Sequence, residues 1–452
     1  MSKKILLFVF SLSFFVWSCT PDSQPDLETN SLTKVNNEVI LDWTEAYLSV
    51  EKDLAGFRPS PTSRAIGYIY MAAYHTASPA MTDYKTLGEV LNIPNLPIAP
   101  VGSDFNYPAA LNATMLEMLQ DLFFNMSPNQ HTLLKDLYER KRVQYVNASN
   151  LNMVVASERW GKQVALAILA YAQTDLEGAS QVRDPRPSSY ILPVFPGSWV
   201  PTAPDFGRAM FPFWGKVRTF AVNDNEIKGI PPPAYSTNPS SVYYKDMKEV
   251  SDAVRNTTYR SRWIAEFWSD DMVGLTFSPP ARIIAIANQL AYNEKMGLAE
   301  TLHFYMKLGL SINDASVAAW KNKYIFNVER PDTYIKEHID RNFTPILGMA
   351  IGRPGISPSF PGYPSGHSTF ASAGSGIFEE FFGKTYLFTD NCHKDRTEFY
   401  GAPRSFLTFK EMAEENAFSR IPLGVHPRFD CDEGLRLGWI VSRKVSSINF
   451  KK

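Results

Sequence analysis

Apolar residues recur every three or four positions along most of the chain, which is the spacing of one face of an α-helix. The clearest stripe consists of Met153, Ala156, Trp160, Val164, Ala167 and Tyr171. Similar patterns predict helices over 37–52, 62–78, 108–125, 129–147, 243–256, 280–309, 313–328, 367–383, 408–418 and 428–446. The alternation typical of strands is scarce, so the pattern predicts an all-α protein.

Prolines interrupt the helical pattern near the middle of the chain. Eleven of the 32 prolines lie between residues 181 and 239. Because proline fixes φ and lacks an amide donor, no regular element is predicted there. We expect a long connection between two helical halves, and such connections often border functional sites.

The first residues are typical of an export signal. Lys3 and Lys4 precede an apolar run over 5–17, which is too short for a permanent membrane span. A small residue then precedes Cys19, and a polar stretch follows it. We interpret residues 1–18 as a lipoprotein signal with Cys19 as the lipidated residue, and an ordinary cleaved signal is the alternative.

The signal predicts where the protein is found and how the rest is organised. We expect residues 19–36 to form a flexible tether, and residues 37–452 one helical unit with its catalytic half at about 240–446. No later run of 18 apolar residues occurs, so the lipid would be the only membrane attachment. These features predict an exported lipoprotein, periplasmic or on the cell surface of a bacterial envelope.

Two cysteines, Cys392 and Cys431, follow the signal. An even number of cysteines in an oxidising compartment is compatible with a disulfide. The alternative is a pair of free buried thiols, and the sequence does not decide whether the two Cα atoms come close enough to bond.

Charge and composition exclude several classes of protein. The 45 Lys and Arg residues balance 46 Asp and Glu residues, for a net charge of −1. Such a balance argues against nucleic acid as a partner. A hydrophobic share of 44% with 20% charged residues is that of a globular protein, which excludes disorder and a protein with many membrane spans.

The first motif with chemical meaning is KYIFNVERP, which contains Lys323, Arg330 and Pro331. Residues seven apart on one helix lie two turns apart on the same face. We therefore expect both cations on one face of a helix that Pro331 ends. Taken alone, such a pair is more typical of a solvated helix face.

The second motif is FPGYPSGHSTFASAGSG, over 360–376, which is typical of the entry to a helix rich in small residues. The free amides of a helix N-terminus favour an anion. Ser365 could donate its hydroxyl, Gly366 permits close approach, and His367 could act as an acid or base. The alternative is an ordinary N-cap beside a structural histidine.

The third motif is SRIPLGVHPRFDCDEG, over 419–434. Because Pro427 suits the first turn of a helix, His426 and Asp430 should lie one turn apart on one side. A carboxylate there can fix the tautomer of a nucleophilic or ligating imidazole. A local ion pair that caps a helix is the alternative reading.

The three motifs together fit one kind of ligand. They supply three cations, two neutral donors, an axial atom and an acid or base, from Lys323, Arg330, Arg420, Ser365, Gly366, His426 and His367. These groups match a tetrahedral oxyanion that gains a fifth ligand.

The motifs resemble those of the superfamily that joins type-2 phosphatidic acid phosphatases, bacterial acid phosphatases and vanadium-dependent haloperoxidases. The segments around the motifs, and FWSDDMVGLTFSPP over 267–280, are similar to the haloperoxidases in particular. The resemblance implies an all-α fold of helical bundles of the vanadium chloroperoxidase and acid phosphatase type, and vanadate as cofactor.

The resemblance also implies roles for single residues. His426 would bind vanadium, and vanadate oxygens would be held by Lys323, Arg330, Ser365, Gly366 and Arg420. His367 would move protons, Asp430 would orient His426, and Asp271 would pair with an active-site arginine. Trp320 and Phe360 would line the halide side, and Tyr363 matches a family tyrosine. Asp270 lies in the same stretch as Asp271, and the resemblance assigns it no role.

The resemblance implies oxidation of halide by hydrogen peroxide to hypohalous acid. Iodide is favoured because it is the easiest halide to oxidise, and bromide is the second choice. The alternative is an acid phosphatase that needs no cofactor and works through a phosphohistidine on His426. A catalytically dead binding lipoprotein is a third reading, although no motif position is missing. The oligomeric state is left open.

Overall fold

The computed structural model describes Leu32 and residues 35–452. The predicted signal peptide, Cys19 and most of the predicted tether lie outside the described residues. The first helices are α1 (Glu38–Glu51), α2 (Ser60–Ala77), α3 (Leu87–Leu91), α4 (Tyr107–Leu122), α5 (Pro128–Ala148), α6 (Leu151–Gln173) and α7 (Leu176–Arg183). The later helices are α8 (Val242–Arg255), α9 (Tyr259–Phe267), α10 (Pro279–Asn293), α11 (Leu298–Phe326), α12 (Pro331–His338), α13 (Gly366–Phe382), α14 (Phe409–Phe418) and α15 (Arg428–Ser446).

The all-α prediction is confirmed, with one small addition. Strands β1 (Phe388–Asp390) and β2 (Arg404–Phe406) pair antiparallel, with Phe388 opposite Phe406. This hairpin is too short to give a periodic signal in the sequence. Within the described part of the chain, no helix combines the length and the apolar character needed to cross a membrane.

The proline-rich connection is also as predicted. From residue 184 to residue 241 the chain contains neither α-helix nor β-strand, and its regular structure is one 3-10 turn at Trp214–Lys216. Trp199 and Trp214 are fully buried, and the amide of Trp199 donates to the carbonyl of Asn327 at 2.7 Å. The connection is therefore packed onto the helical core.

The boundary predicted between helices 280–309 and 313–328 is wrong. The chain breaks instead after α10, where Lys295 has a φ of 51° and Gly297 caps α11. Gly309, near the predicted break, lies inside α11, and a Cβ there would come within 3.1 Å of the Ile66 carbonyl of α2. This glycine therefore permits a close helix contact and does not end a helix.

Helices α13 and α15 cross in close contact at two glycines. A Cβ on Gly434 would lie 2.5 Å from the Ser365 carbonyl, and one on Gly438 would lie 2.3 Å from the Thr369 carbonyl. Such distances are too short for a carbon side chain. The crossing therefore brings together the N-termini of the two helices that carry the second and third motifs.

The disulfide considered for Cys392 and Cys431 is wrong, because both are free thiols. Cys392 follows β1 and packs against the main hydrophobic core, where Gln289 of α10 contacts its sulfur at 2.9 Å. Cys431 lies in the first turn of α15, within a separate apolar cluster beside Tyr363 and Phe429. The fold thus places the two sulfurs in different parts of the protein.

Candidate active site

The second and third motifs meet where α13 and α15 begin. The amide of Ser365 donates to the carbonyl of Asp430 at 2.9 Å. As the sequence predicts, Ser365 is the N-cap of α13 and Gly366 its first residue, and the Ser365 hydroxyl accepts from the amide of Ser368 at 3.4 Å. His367 follows in the first turn, with its side chain almost fully buried.

His426 and Asp430 form the predicted pair. Nδ1 of His426 lies 2.7 Å from Oδ2 of Asp430, and Nη1 of Arg330 lies 3.1 Å from Nε2 of His426. Because a guanidinium only donates, Nε2 accepts and the ring proton sits on Nδ1, facing the carboxylate. His426 lies just before α15, whose N-cap is Pro427. Nε2 is therefore the atom of this imidazole that carries a lone pair, and in this structure it accepts from Arg330.

Arg330 reaches the site, but not along the helix that the sequence predicts. Helix α11 ends at Phe326, and Asn327 closes it in the left-handed conformation with a φ of 48°. Arg330 is the N-cap of α12, and Pro331 begins that helix instead of ending one. The fixed φ of proline suits a first helical turn, where its missing amide is not needed.

Lys323 lies in the last turn of α11 and is fully buried. Its ammonium donates to the carbonyls of Pro361, Gly362 and Pro364 at 2.9, 2.6 and 2.6 Å. All three of its N–H groups are thereby used. Lys323 thus fastens the loop that leads into Ser365 and adds positive charge behind the helix N-terminus.

Arg420 pairs with Asp271, as the resemblance implies. Nη2 of Arg420 lies 2.6 Å from Oδ2 of Asp271, and the arginine side chain is fully buried. The same Oδ2 lies 3.8 Å from Nε2 of His367, and the His367 ring hydrogen-bonds the backbone of Ser269. One short segment, 269–271, therefore positions both the arginine and the candidate acid or base.

Several buried nitrogen atoms of the site have no hydrogen-bond partner. Nε of Arg420, Nη2 of Arg330 and Nε2 of His367 are such atoms. Buried polar atoms without a partner are costly in a folded protein. Two of the three are guanidinium donors and the third belongs to an imidazole, so together they suit an anion that has a proton to exchange.

Burial and mutual repulsion shift the pKa values of the basic groups. Desolvation lowers the pKa of His426 and His367 well below 6.5, with Arg330 and Arg420 as the largest charged causes. Desolvation, with Arg330 next, lowers the pKa of Lys323, while burial raises the pKa of Asp430 to about 8. A bound anion would relieve the repulsion among these cations.

A cavity of about 500 Å³ opens onto this cluster. Trp320 and Phe360 line it with ring centroids 5.1 Å apart, and Gly366, His367, Arg420 and His426 line it too. We call it the active-site cavity. Tyr363, from the same motif, does not line the cavity, because its ring packs against Phe326 and Phe429 and its hydroxyl donates to the Ile230 carbonyl.

The structure also shows residues that the sequence did not reveal. Asp270, which lines the cavity, has a φ of 30° and is almost fully buried. Its Oδ1 lies 3.2 Å from Nε2 of His393 and 3.6 Å from Nη1 of Arg282. Arg58, from the loop before α2, donates to the Asp270 carbonyl at 3.0 Å. His393 and Arg58 lie 123 and 212 positions from Asp270, and Arg282 belongs to a different element, α10, so no spacing pattern indicates this cluster.

Known proteins are similar to this chain in both sequence and fold. Residues 303–451 match the family model of the VCPO second helical-bundle domain. The chain is 25% identical to the vanadium chloroperoxidase of Curvularia inaequalis, over 91% of this chain and 82% of that protein. The structure described as the first bacterial vanadium-dependent iodoperoxidase superposes with a TM-score of 0.81 at 28% identity, over 92% of this chain and 97% of that one. The chain therefore resembles the vanadium-dependent haloperoxidases in both sequence and fold.

A second solved structure, which is less similar to this chain in sequence, also shares its fold. The holo form of a bacterial vanadium-dependent chloroperoxidase superposes with a TM-score of 0.68 at 16% identity, over 92% of this chain and 98% of that one. The predicted resemblance and fold class are confirmed, and the similarity supports the prediction that the chain is an enzyme of this type. The match over 303–451 includes all three motifs.

Proposed function

We propose that this enzyme binds vanadate at the starts of α13 and α15 and uses hydrogen peroxide to oxidise halide to hypohalous acid. The observation that carries the proposal is the set of unpartnered buried nitrogens of Arg330, Arg420 and His367, with Arg330 also in contact with Nε2 of His426. Such donors beside one imidazole nitrogen suit an oxyanion with a fifth ligand.

The residues present fit vanadate. Arg330 and Arg420 would hold its oxygens, together with the hydroxyl of Ser365 and the amide of Gly366, and Nε2 of His426 would bind the metal. Lys323 would add charge from behind, since its N–H groups hold the loop carbonyls. When bound, vanadate supplies a Lewis acid that activates peroxide without changing its own oxidation state.

The chain supplies geometry and proton transfer to the reaction. His367 is neutral because its pKa is lowered, and its free Nε2 can take a proton from peroxide and return it to the departing oxygen. Asp271 keeps Arg420 in place, and Asp430 keeps the proton of His426 on Nδ1. Burial of these groups strengthens each of the interactions.

We propose iodide as the favoured halide, with bromide second. Iodide is the easiest halide to oxidise, and the relative that matches at 28% identity is described as an iodoperoxidase. A halide that enters through the cavity would pass Trp320 and Phe360. Their ring edges and the cations behind them suit a large, weakly hydrated anion.

A direct assay tests the proposal. The apoprotein is loaded with orthovanadate, and oxidation of iodide, bromide and chloride by peroxide is measured beside hydrolysis of p-nitrophenyl phosphate. We expect vanadate-dependent oxidation of iodide. Hydrolysis that vanadate abolishes, without oxidation of any halide, would instead establish the phosphatase. His426→Ala should remove halide oxidation, while His338→Ala, a matched change outside the site, should keep it.

We further propose export as a lipoprotein anchored through Cys19. The proposal is supported by the lysines, the apolar run and the small residue before Cys19. Cells that express the full chain would be labelled with a fatty acid analogue and fractionated. We expect label on the wild type in the envelope fraction and none on Cys19→Ala. Equal labelling of both proteins would contradict the proposal.

A further inference from the structure

Two methionines, Met210 and Met272, line the active-site cavity, and the proposed reaction uses neither. Both side chains are partly exposed. Met272 directly follows Asp271, which pairs with a site arginine. The amide of Met210 donates to the carbonyl of Ser359 at 2.9 Å, which holds Met210 beside the segment that carries Phe360. Both methionines thus form part of the wall of the space where the oxidised halogen would form.

We propose that Met210 and Met272 are modification sites, which hypohalous acid formed in the cavity oxidises to methionine sulfoxide. This inference rests on the proposed function, which supplies the oxidant. The sulfur lone pair attacks the halogen, and the halogen–oxygen bond breaks with release of hydroxide. Water then adds to sulfur, and halide leaves with the bonding electron pair. One proton neutralises the hydroxide and one enters solvent, while sulfur loses two electrons and the halogen gains them.

The two cysteines of the described residues are less accessible to oxidant formed in the cavity than these two methionines are. Cys392 and Cys431 do not line the cavity, and burial raises the pKa of both thiols well above its usual range. Reaction of cysteine with oxidants follows the thiolate fraction and exposure. The raised pKa keeps the thiolate fraction of both low; Cys431 is also buried, and Cys392, although partly exposed, lies away from the cavity. A thioether needs no ionisation, so methionine reacts at any pH once the oxidant reaches it.

The chain contains its own reference for oxidant that has escaped. Met349 is 42% exposed and does not line the active-site cavity. Oxidant arriving from bulk solvent should reach Met349 before the two cavity methionines. Oxidant released inside the cavity should reach the cavity methionines first. The order of oxidation therefore reports where the oxidant was formed.

Oxidation would also change the cavity itself. The wall around the two methionines is largely apolar, with Leu347, Ile351 and Ile356 among its residues. A sulfoxide turns a flexible apolar side chain into a polar one. We expect the affinity for an apolar acceptor to fall as turnovers accumulate, while the anion site keeps its binding groups because neither methionine is one of them.

The test uses the full chain, loaded with vanadate, and the halide that a parallel assay shows it to oxidise. Turnover proceeds with excess free methionine in solution as a scavenger, and peptide mass spectrometry then measures sulfoxide at Met210, Met272 and Met349. One control omits halide. A second adds reagent hypohalous acid to the resting enzyme. The matched variants are Met272→Leu and Met349→Leu.

During turnover with scavenger, we expect severalfold more sulfoxide at Met210 and Met272 than at Met349. Reagent hypohalous acid should reverse that order, and omission of halide should remove the signal. Met272→Leu should leave the sulfoxide at Met210. If scavenger suppresses all three sites equally, or Met349 is oxidised first during turnover, the proposal is wrong. If the parallel assay shows no halide oxidation, the proposed function fails, and this inference fails with it.

Discussion

Nδ1 of His426 lies 2.7 Å from Oδ2 of Asp430, with both side chains buried. The pair decides which nitrogen of the ring carries the proton, because Nε2 already accepts from Arg330. An imidazole whose proton is fixed on one side presents its lone pair on the other. Through this contact, the buried Asp430 carboxylate therefore influences how strongly Nε2 of His426 can bind a ligand at the cavity.

Replacing Asp430 should weaken the site without removing a ligand. We expect Asp430→Asn to lower the affinity for vanadate by about 10–100-fold, because the amide no longer fixes the tautomer. Calorimetric titration of the apoprotein with orthovanadate measures this change. Asp432→Asn, an exposed position two residues further along α15, is the control and should bind as the wild type. Equal affinities of the two variants would show that the pair is structural only.

Arg282 should be essential for stability. It is fully buried, with Nη2 2.7 Å from Oδ2 of Asp390 and Nη1 3.6 Å from Oδ1 of Asp270. Arg282→Met leaves two buried carboxyl groups without their cation, so we expect a loss of about 3–5 kcal/mol in the free energy of unfolding. Chemical denaturation measures the loss.

Arg428 provides the matched control for Arg282→Met. Its ion pair with Glu249 lies at the surface, where the two side chains are 44% and 37% exposed. We expect Arg428→Met to change the free energy of unfolding by at most about 1 kcal/mol. Losses of similar size in both variants would mean that the buried cluster contributes nothing special.

His303 should make the fold sensitive to acid. Both ring nitrogens are buried without partners, and desolvation, followed by Lys307, lowers its pKa from 6.5 to about 3. Below pH 6.5 the unfolded chain binds a proton that the folded chain does not, so stability falls as the pH falls from 6.5 towards 3. The loss is about 1.4 kcal/mol per pH unit for this residue.

A substitution isolates this effect of His303. Between pH 6.5 and 5, we expect the free energy of unfolding to fall less steeply in His303→Leu than in the wild type, since leucine takes up no proton. The difference in slope should approach about 1.4 kcal/mol per pH unit. Denaturation of both proteins at pH 7.5, 6.5, 5.5 and 5 measures the difference. Parallel curves for variant and wild type would show that His303 takes up a proton in the folded protein as well.

Gly438 should couple the site to the helix crossing. A Cβ there would lie 2.1 Å from Oγ of Ser372 and 2.3 Å from the Thr369 carbonyl. We expect Gly438→Ala to cost about 1–3 kcal/mol in stability and to weaken vanadate binding, because α13 must move away from α15. Thermal denaturation and vanadate titration check both effects. Gly88→Ala, which meets no atom closer than 3.9 Å, should change neither.

The sequence predicted those parts of the site that lie within one turn of helix. The spacing of His426 and Asp430, and the N-cap at Ser365, follow from local geometry, and the structure has both. The prediction that Arg330 lies on the same helix as Lys323 was wrong. Asn327 takes a left-handed conformation that ends α11, and helix periodicity does not report such an end. The sequence also did not predict which loop Lys323 holds, because its carbonyl partners lie 38 or more residues further along the chain.

Contacts between distant parts of the chain were the least predictable. Asp270 meets His393 across 123 positions, and no periodic pattern links two such single residues. Tyr363 belongs to the same motif as Gly366 and His367, yet it packs against Phe326 and Phe429 and does not line the cavity. Burial is decided by the whole fold, whereas a motif reports only its immediate neighbours.

The hydrogen bond from Arg58 to the Asp270 carbonyl crosses between the two halves of the protein. The amide of Gly274 likewise donates to the carbonyl of Lys52 at 2.8 Å. The segment that places Asp271 is thus held in part by the loop between the first two helices. A fragment that begins at residue 240 would keep all three motifs but would lose the contacts from Lys52 and Arg58 that support the segment around Asp271. The three motifs alone therefore do not make a transferable active site.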